Sequence, residues 1–363
     1  MKAMILAAGK GTRMRPLSYA LPKPMIPLLG KPVMEYLVEQ LVAHGFNRIM
    51  VNVSYLPQII ERYFGDGRRW GAEIGYSFEG AIRKGEMVSE PAGSAGGLKK
   101  VHDHSGFFDD TFLVVCGDTM LEDLDLTAAV RKHWQSGCIA SLAVCEVPRE
   151  RVSDYGVVVC GDGGRVSSFQ EKPAAGEARS NLANTGVYIF EPQVLDLIPP
   201  AEFFDIGTDL FPLILQKNLP LNAIRMPFTW MDIGHLQDYW ATSQKLMRGG
   251  AMPGVETYPK VWTGLNASVD WRSANITGPV YIGAGARVEA HCTITGPAWI
   301  GHGCHLQSGA NLHRCILLEY TRIKPGVSLR DAVVFQKNCV DKNGEPLSGA
   351  EARGIEDARE AAD

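Results

Sequence analysis

The sequence predicts an α/β domain with a mostly parallel sheet, followed by a parallel β-helix. Two observations support this prediction. Strand-like and helix-like segments alternate up to about residue 246, and aliphatic residues recur every six positions from Ile276 onward. Strands separated by helices are typical of a parallel sheet that is covered by helices on both faces. A constant six-residue period is typical of short strands that stack turn upon turn.

Apolar runs and helical periodicity define the elements of the first part. Strands are predicted at residues 3–8, 48–54, 112–116, 139–144, 157–160 and 186–190. Helices are predicted at residues 33–44, 57–64, 126–135 and 237–247. Ligands of parallel sheets bind beyond the carboxyl ends of the strands. The turn that follows the first strand therefore lies at the expected binding edge.

Eight aliphatic residues define the six-residue period of the second part. They are Ile276, Ile282, Val288, Ile294, Ile300, Leu306, Leu312 and Leu318. The residue two positions before most of them is small or aliphatic, and residues two apart face the same side of a strand. The register changes after Leu318, because Ile323 follows it by only five residues. The pattern resembles the left-handed hexapeptide β-helix, and three hexapeptides per turn would give about three turns.

These patterns set the predicted domain limits. The α/β domain is predicted at residues 1–247, a linker at 248–275, the β-helix at 276–340 and a charged tail at 341–363. Residues 248–254, with the sequence RGGAMPG, have the composition of a linker. The alanine-rich, charged tail is compatible with a short capping helix or with disorder.

Composition excludes several classes of protein. The net charge of −4 argues against a nucleic-acid binder, which would normally show a basic face. No apolar run reaches the length of about 18 residues that a transmembrane helix requires, and the N-terminus lacks the features of a signal peptide. Eight cysteines without a C-x-x-C pair are interpreted as free thiols of a cytoplasmic protein.

The N-terminal segment carries the clearest functional signal. Its apolar run ends at GKGTR (residues 9–13), and six basic residues between Lys2 and Lys31 precede the first acid, Glu35. Glycines let the backbone approach a ligand, consecutive N–H groups can cradle phosphate oxygens, and arginine adds a planar cation. The order of residues fits neither a Walker loop nor G-x-G-x-x-G. The segment therefore predicts a polyphosphate site of another kind.

The strings AAGKGTRMRPL and LPKPMIPLLGKPV resemble the N-terminal signature of sugar-1-phosphate nucleotidylyltransferases. The resemblance implies a Rossmann-like domain, a nucleoside triphosphate and a sugar 1-phosphate as substrates, and Mg²⁺ as cofactor. In that reaction the sugar phosphate attacks the α-phosphorus and pyrophosphate leaves. Such chemistry needs positioning and charge neutralisation more than covalent catalysis.

The resemblance also assigns roles to single residues. Arg13, Lys23 and Asp118 are expected to be catalytic, whereas the role of Arg15 stays open. Asp118 in VVCGD and Asp232 in TWMDIGHLQDYW are expected to bind the metal, although either one fits a turn or a helix cap. Expected nucleotide contacts are Leu6, Ala8, Gly9, Gly11, Arg13, Lys23, Glu90, Gly93 and Ala95. Expected sugar-phosphate contacts are Gly156, Glu171, Lys172, Asn184 and Gly186.

Two further segments suggest a substrate. EPAGSAGGL (residues 90–98) and FDIGTDLFPLIL (204–215) resemble the mannose-1-phosphate guanylyltransferase branch, so GTP and mannose 1-phosphate are the first expectation. The helix start in the first segment is also expected to favour an anion. Uridylyl or thymidylyl transfer to glucose 1-phosphate is the alternative, as is a bifunctional enzyme whose β-helix histidines serve an acyltransferase. Neither a nucleic acid nor a membrane is an expected partner, and the β-helix predicts a homo-oligomer, either a dimer or a tetramer.

Overall fold

The structure is a computed structural model that describes residues 1–83, 86–174, 176–250, 252–349 and 353–360. Contacts divide the chain into two compact units. The first comprises Met1–Lys10, Leu21–Met25 and Val33–Asp232, and the second comprises Gly11–Ala20, Ile26–Pro32 and Ile233–Asp363. Residue 251 of the predicted linker and residues 350–352 and 361–363 of the predicted tail lie outside the described residues.

Helices and strands alternate along the chain as far as Arg248. The helices are α1 (Val33–Ala43), α2 (Pro57–Phe64), α3 (Ser94–Ser105), α4 (Leu126–Ser136), α5 (Phe211–Gln216) and α6 (Leu236–Arg248). The strands are β1 (Lys2–Leu6), β2 (Pro27–Leu28), β3 (Lys31–Pro32), β4 (Arg48–Val53), β5 (Glu73–Phe78), β6 (Gly80–Arg83), β7 (Glu86–Ser89), β8 (Phe112–Cys116), β9 (Thr119–Glu122), β10 (Ala140–Glu146), β11 (Gly156–Cys160), β12 (Val166–Glu171), β13 (Leu182–Phe190), β14 (Leu221–Arg225) and β15 (Thr229–Asp232).

A nine-stranded sheet forms the centre of the first unit. Its main order is β12-β11-β13-β8-β1-β4-β5, and β10 pairs with both β13 and β14. The strands β8, β1, β4 and β5 run parallel, whereas β13 joins β8 in the antiparallel sense. The carboxyl ends of the four parallel strands therefore meet at one edge of the sheet, which is where α/β sheets bind ligands.

Helices cover both faces of this sheet. Along β1, Ala3 and Ile5 belong to the core that includes residues of α1, α2 and α4, whereas Met4 belongs to the core that includes residues of α3 and α5. Because successive side chains of a strand point to opposite faces, a strand buried on both faces reads as a continuous apolar run. This explains why the sequence MKAMILAAG predicts a central strand.

The second unit contains many short strands after residue 254. They are β16 (Val255–Tyr258), β17 (Val261–Thr263), β18 (Ser268–Val269), β19 (Asn275–Thr277), β20 (Val280–Ile282), β21 (Arg287–Val288), β22 (Thr293–Thr295), β23 (Ala298–Ile300), β24 (His305–Leu306), β25 (Asn311–His313), β26 (Ile316–Leu317), β27 (Thr321–Ile323), β28 (Ser328–Arg330), β29 (Ala332–Phe335), β30 (Asn338–Asp341) and β31 (Ile355–Asp357). They form three sheets, in which β17-β20-β23-β26-β29, β18-β21-β24-β27 and β19-β22-β25-β28 pair in parallel. The predicted fold class, an α/β sheet followed by a left-handed parallel β-helix, is confirmed.

The register of the β-helix differs from the prediction at one residue. Ile300 pairs with Leu317, so Leu317 occupies the inward position that the six-residue spacing assigned to Leu318. The shortened spacing therefore lies between Leu312 and Leu317, one residue earlier than predicted. The prediction was wrong here because Leu317 and Leu318 are both aliphatic and both buried, so the pattern alone does not distinguish them.

The stack of parallel strands also starts before the first residue of the predicted period. Thr263 pairs with Ile282, and Val269 pairs with Val288. The spacing from Val269 to Ile276 is seven residues and Thr263 is polar, so this first turn lacks the six-residue signature. The domain limits stay predictions. Among the described residues, no helix is long and apolar enough to cross a membrane.

Candidate active site

Asp118 and Lys23 meet at the carboxyl edge of the first unit's sheet. The strand β8 ends at Cys116, and the next residue, Gly117, donates its N–H to Leu6 O at 2.9 Å. Asp118 follows directly, and its Oδ2 accepts a hydrogen bond from Lys23 Nζ. The two side chains are 28% and 12% exposed, respectively, so the ion pair is partly shielded but still reachable. Two residues predicted from separate motifs thus lie together.

Asp232 lies beside this pair because β15 pairs with β9. The antiparallel register places Asp232 opposite Thr119, the residue after Asp118. Trp230 Nε1 donates to Thr119 Oγ1 at 2.8 Å and fixes the two strands. Burial raises the pKa of the Cys116 thiol, and the charges of Asp118 and Asp232 raise it further. Both carboxylates therefore act on the same buried group.

The carboxylates of Asp118 and Asp232 fit a divalent cation of the Mg²⁺ type. Among the described residues, no group of three or more His, Cys, Asp or Glu side chains forms a complete metal cage. Mg²⁺ is usually held by one or two carboxylates together with water and substrate phosphates. A pair of oxygen donors at an accessible sheet edge matches that requirement.

Glu171 and Gly186 line a second part of the same edge. Glu171 pairs with Gly156 across β12 and β11, and a Cβ at Gly156 would lie 3.0 Å from Glu171 Oε2. Gly186 has φ of +76°, and a Cβ there would lie only 2.7 Å from Cys116 Sγ. Glycine is therefore required where β13 passes the thiol that Asp118 and Asp232 surround.

Asn184 and Lys172, two other expected sugar-phosphate contacts, differ in how far their polar groups already have partners. Asn184 Nδ2 donates to Tyr188 Oη at 3.0 Å, and its Oδ1 accepts from Gly186 N at 3.1 Å, so both ends of this amide already have partners in β13. Lys172 is largely exposed and lies 3.7 Å from Glu171 Oε1. Burial raises the pKa of Glu171, and Lys172 opposes that shift.

Asp205 is a residue of this region that was not predicted from the sequence. Its Oδ1 accepts from Gly207 N at 2.8 Å and its Oδ2 accepts from Ser94 Oγ at 2.7 Å, so it links its own turn to the start of α3. Its charge also raises the pKa of Glu171. The signal in the sequence was an aspartate directly before an Ile-Gly-Thr turn, which is a typical cap position.

Two backbone donors at the start of α3, after Glu90, already have a partner within the protein. The N–H groups of Ala95 and Gly96 both donate to Phe204 O, at 2.9 and 2.8 Å. A Cβ at Gly93 would lie 2.4 Å from the same oxygen. A backbone carbonyl thus takes two of the first-turn donors of α3, and the expected anion site stays a prediction. The carboxylate of Glu90 pairs with Arg83 at the surface.

The glycine-rich turn is open at its centre. A Cβ at Gly9 would meet no atom within 4 Å. In the second unit, Gly11 has φ of +61° and precedes the 3₁₀ turn Thr12–Met14. Arg13 Nη1 lies 2.9 Å from His235 Nε2, whereas the Arg15 guanidinium lies over the Tyr19 ring at 5.0 Å. The two arginines therefore have different partners, which bears on the role of Arg15 that the sequence left open.

The β-helix histidines of the acyltransferase alternative have ordinary partners. His305 Nε2 lies 2.8 Å from Glu289 Oε1, and His302 packs edge-on against Tyr320. Burial lowers the pKa of His313, and the positive charge of Arg330 lowers it further. A hydrogen bond to Glu289 and ring packing account for the first two contacts without a catalytic role.

Comparison with known proteins places this site in a family. The nucleotidyl transferase family model matches residues 2–249. A UTP–glucose-1-phosphate uridylyltransferase of Synechocystis sp. PCC 6803 is 50% identical, with 100% of this chain and 95% of that protein covered. A mannose-1-phosphate guanyltransferase of Neurospora crassa is 32% identical, with coverages of 94% and 88%.

A solved structure agrees with the fold. A Bacillus anthracis protein described as a glucose-1-phosphate thymidylyltransferase, in complex with sucrose, has a TM-score of 0.57 and 24% identity. The similarity covers 67% of this chain and 95% of that one. The family match over residues 2–249 and the 50% identical relative show that the chain belongs to the nucleotidyl transferase family, and the prediction of a nucleotidyltransferase enzyme is confirmed.

Proposed function

We propose that the protein transfers a uridylyl group from UTP to glucose 1-phosphate, giving UDP-glucose and pyrophosphate. The observation that carries this proposal is the 50% identity to a UTP–glucose-1-phosphate uridylyltransferase over the whole chain, β-helix included. The guanylyltransferase relative is more distant, at 32% identity. The alternative substrate pair is therefore better supported than the first expectation of GTP and mannose 1-phosphate.

The two segments that suggested GTP and mannose 1-phosphate also contact each other. Residues 90–98 and 204–215 bind each other: Ser94 Oγ donates to Asp205, and Ala95 N donates to Phe204 O. A similar pair of segments thus reports how α3 is attached to its neighbouring turn. The resemblance of these two segments is therefore weaker support for a substrate than the 50% identity over the whole chain.

Cationic side chains supply most of what the transfer needs. In this proposal Lys23 and Arg13 contact the triphosphate and offset the charge that develops around the α-phosphorus. The open turn at Gly9 lets the backbone approach the phosphates, together with Leu6, Ala8 and Gly11. Glu90, Gly93 and Ala95 are proposed to border the base and ribose. No general base is required, because the attacking phosphate monoester is already an anion at neutral pH.

Asp118 and Asp232 would hold the divalent cation, which we propose is Mg²⁺. When bound, Mg²⁺ supplies positive charge to the phosphate oxygens. Glu171 is proposed to accept a hydrogen bond from a hydroxyl of the sugar, and Lys172 to bind the sugar phosphate from its exposed position. Gly156, Asn184 and Gly186 are proposed to form the wall of the sugar pocket.

A substrate panel tests the proposed reaction. Pyrophosphate release is measured for UTP, GTP and dTTP, each with glucose 1-phosphate and with mannose 1-phosphate. UTP with glucose 1-phosphate is expected to have a kcat/KM at least about ten-fold above every other pair, since specificity contacts of about 1–3 kcal/mol give differences of this size. A higher value for GTP with mannose 1-phosphate would restore the first expectation. No turnover with any pair would refute the proposal.

We also infer that the protein forms a homo-oligomer through its β-helix and acts in the cytoplasm. Large apolar side chains are exposed there: Val255 is 69%, Tyr258 61% and Leu265 79% exposed. Exposed apolar surface of this kind favours association with a second copy. Sedimentation velocity at micromolar concentration is expected to show a dimer or a tetramer, and a monomer would contradict the inference.

A further inference from the structure

Two buried polar side chains lie between the proposed nucleotide-binding segments. Asn52 is near the carboxyl end of β4, and Glu79 directly follows β5. They are only 2% and 3% exposed, respectively. Neither residue was predicted from the sequence, and neither has a role in the reaction described above.

A chain of hydrogen bonds runs through this pair. Ala7 N, at the start of the glycine-rich turn, donates to Asn52 Oδ1 at 2.7 Å. Asn52 Nδ2 in turn donates to Glu79 Oε1. The other carboxylate oxygen, Glu79 Oε2, accepts from Ala92 N at 3.4 Å. The amide and the carboxylate thus connect the backbone at residue 7 to the backbone at residue 92.

The site is built to accommodate a carboxylate. Burial raises the pKa of Glu79, which shows that the charged form is costly here, and the hydrogen bonds from Asn52 and Ala92 offset part of that cost. A Cβ at Gly97 of α3 would lie 2.5 Å from Glu79 Oε1. Glycine at this position therefore leaves room for the carboxylate. An apolar pair of similar volume would avoid the desolvation cost but would leave Ala7 N without this acceptor.

We propose that Asn52 and Glu79 are positioning residues that fix the separation between the glycine-rich turn and the loop of residues 90–93, and hence the width of the slot for the nucleoside triphosphate. This inference rests on the proposed function, because it takes both segments as nucleotide-binding. The pair acts through the backbone of Ala7 and Ala92. Its loss should weaken binding of the triphosphate and leave the sugar-phosphate contacts unchanged.

An exchange of the two side-chain types gives a sharp test. Asn52→Asp places two carboxylates against each other and removes the Nδ2 donor. Glu79→Gln keeps the shape of the side chain, but its NH₂ group then faces the Ala92 N–H, so two donors oppose each other. In the double variant N52D/E79Q, the new carboxylate on β4 accepts from Ala7 N and from the new amide, whose oxygen accepts from Ala92 N. Every hydrogen bond of the chain is therefore restored, with the carboxylate moved from one position to the other.

UTP binding by calorimetry, without sugar phosphate, measures the effect. Asn52→Asp is expected to raise the Kd for UTP about ten-fold, Glu79→Gln about three-fold, and the double variant less than about two-fold, because the bonds lost in the single variants return. The KM for glucose 1-phosphate should stay within about two-fold in all three. If both variants are folded and the double variant binds UTP no better than Asn52→Asp, the inference is overturned.

Glu191→Gln is the matched control. Glu191 is a partly buried carboxylate of the same unit that accepts hydrogen bonds from Thr111 and His133. Its substitution should lower the Tm without changing UTP binding. If Glu191→Gln weakened UTP binding as much as Asn52→Asp at an equal loss of Tm, the effect would be one of general stability and the inference would fail.

The two proposals fail in different ways. A wild-type enzyme that turns over GTP in place of UTP would refute the uridylyl assignment. The inference about Asn52 and Glu79 would then be tested by comparing GTP binding among the same variants. A wild-type enzyme that binds UTP and turns it over, with variants unchanged in UTP affinity, would refute only the inference about Asn52 and Glu79.

Discussion

Asp118→Asn is expected to lower kcat by about 10³-fold while the protein remains folded. The asparagine keeps the shape of the side chain but removes the negative charge that pairs with Lys23 and that would hold the cation. Lys23 then lacks this carboxylate at the sheet edge, so its ammonium can also shift away from the phosphate. Steady-state kinetics at saturating substrates, together with thermal unfolding, measures the effect.

A matched control lies at the other end of β8. Lys2, the first residue of β1, forms an ion pair with Asp109, which lies just before β8. Asp109 is 67% exposed and lies near the amino end of β8, away from the carboxyl edge of the sheet. Asp109→Asn therefore removes an aspartate–lysine pair without touching the binding edge, and kcat should change less than about two-fold.

The two variants together separate catalysis from stability. An Asp118→Asn enzyme that kept more than about a tenth of the wild-type kcat would show that this carboxylate does not bind the cation. Equal losses in Asp118→Asn and Asp109→Asn would mean that both lysine–aspartate pairs act on stability alone. Either outcome would remove the main support for the roles proposed for Asp118 and Lys23.

Local signals were enough to predict the central strands and to identify Asp118 and Lys23 as candidate site residues. The strand at residues 112–116 and the helix at residues 57–64 have the predicted bounds, because an apolar run and an amphipathic period each identify one element. Asp118 and Lys23 lie in motifs whose composition is unusual in itself. Their ion pair joins Asp118, which follows β8, to the turn Lys23–Met25, which lies well beyond β1 in the sequence.

Asn52, Glu79 and Asp205 could not be found in this way. Each is a common polar residue near the end of an element, where a surface position is the ordinary expectation. Only the pairing of β4 with β5 brings Asn52 and Glu79 together, and only the packing of α3 brings Ser94 to Asp205. Contacts between distant parts of the chain leave no periodic trace in the sequence.

The helix α3 was predicted only at its start, within residues 90–98, and its full length was not predicted, for a related reason. Its first turns contain Gly96 and Gly97, and each glycine costs about 1 kcal/mol of helix propensity relative to alanine. In the folded protein these glycines allow close approach: a Cβ would lie 2.9 Å from Glu202 O at Gly96 and 2.5 Å from Glu79 Oε1 at Gly97. Tertiary contacts thus outweigh the local preference against a helix.

Arg13→Met is expected to lower kcat by about 10³-fold, and Arg13→Lys by about 10²-fold. Guanidinium presents several N–H donors in one plane and can bind His235 and a phosphate oxygen together, whereas lysine offers a point charge on a flexible stem. Arginine has no acceptor, so it is the donor to His235 Nε2, which lies 2.9 Å from Arg13 Nη1. Retention of charge alone should therefore rescue only part of the rate, which steady-state kinetics at saturating substrates measures.

Arg15→Met, in the same segment, is the control for Arg13. The Arg15 guanidinium lies over the Tyr19 ring at 5.0 Å, a contact that accounts for it as a structural residue. Its loss should change kcat less than about three-fold and should lower the Tm slightly. If Arg15→Met were as inactive as Arg13→Met, the rate would depend on the total positive charge of the segment, and the specific role of Arg13 at the α-phosphorus would have to be abandoned.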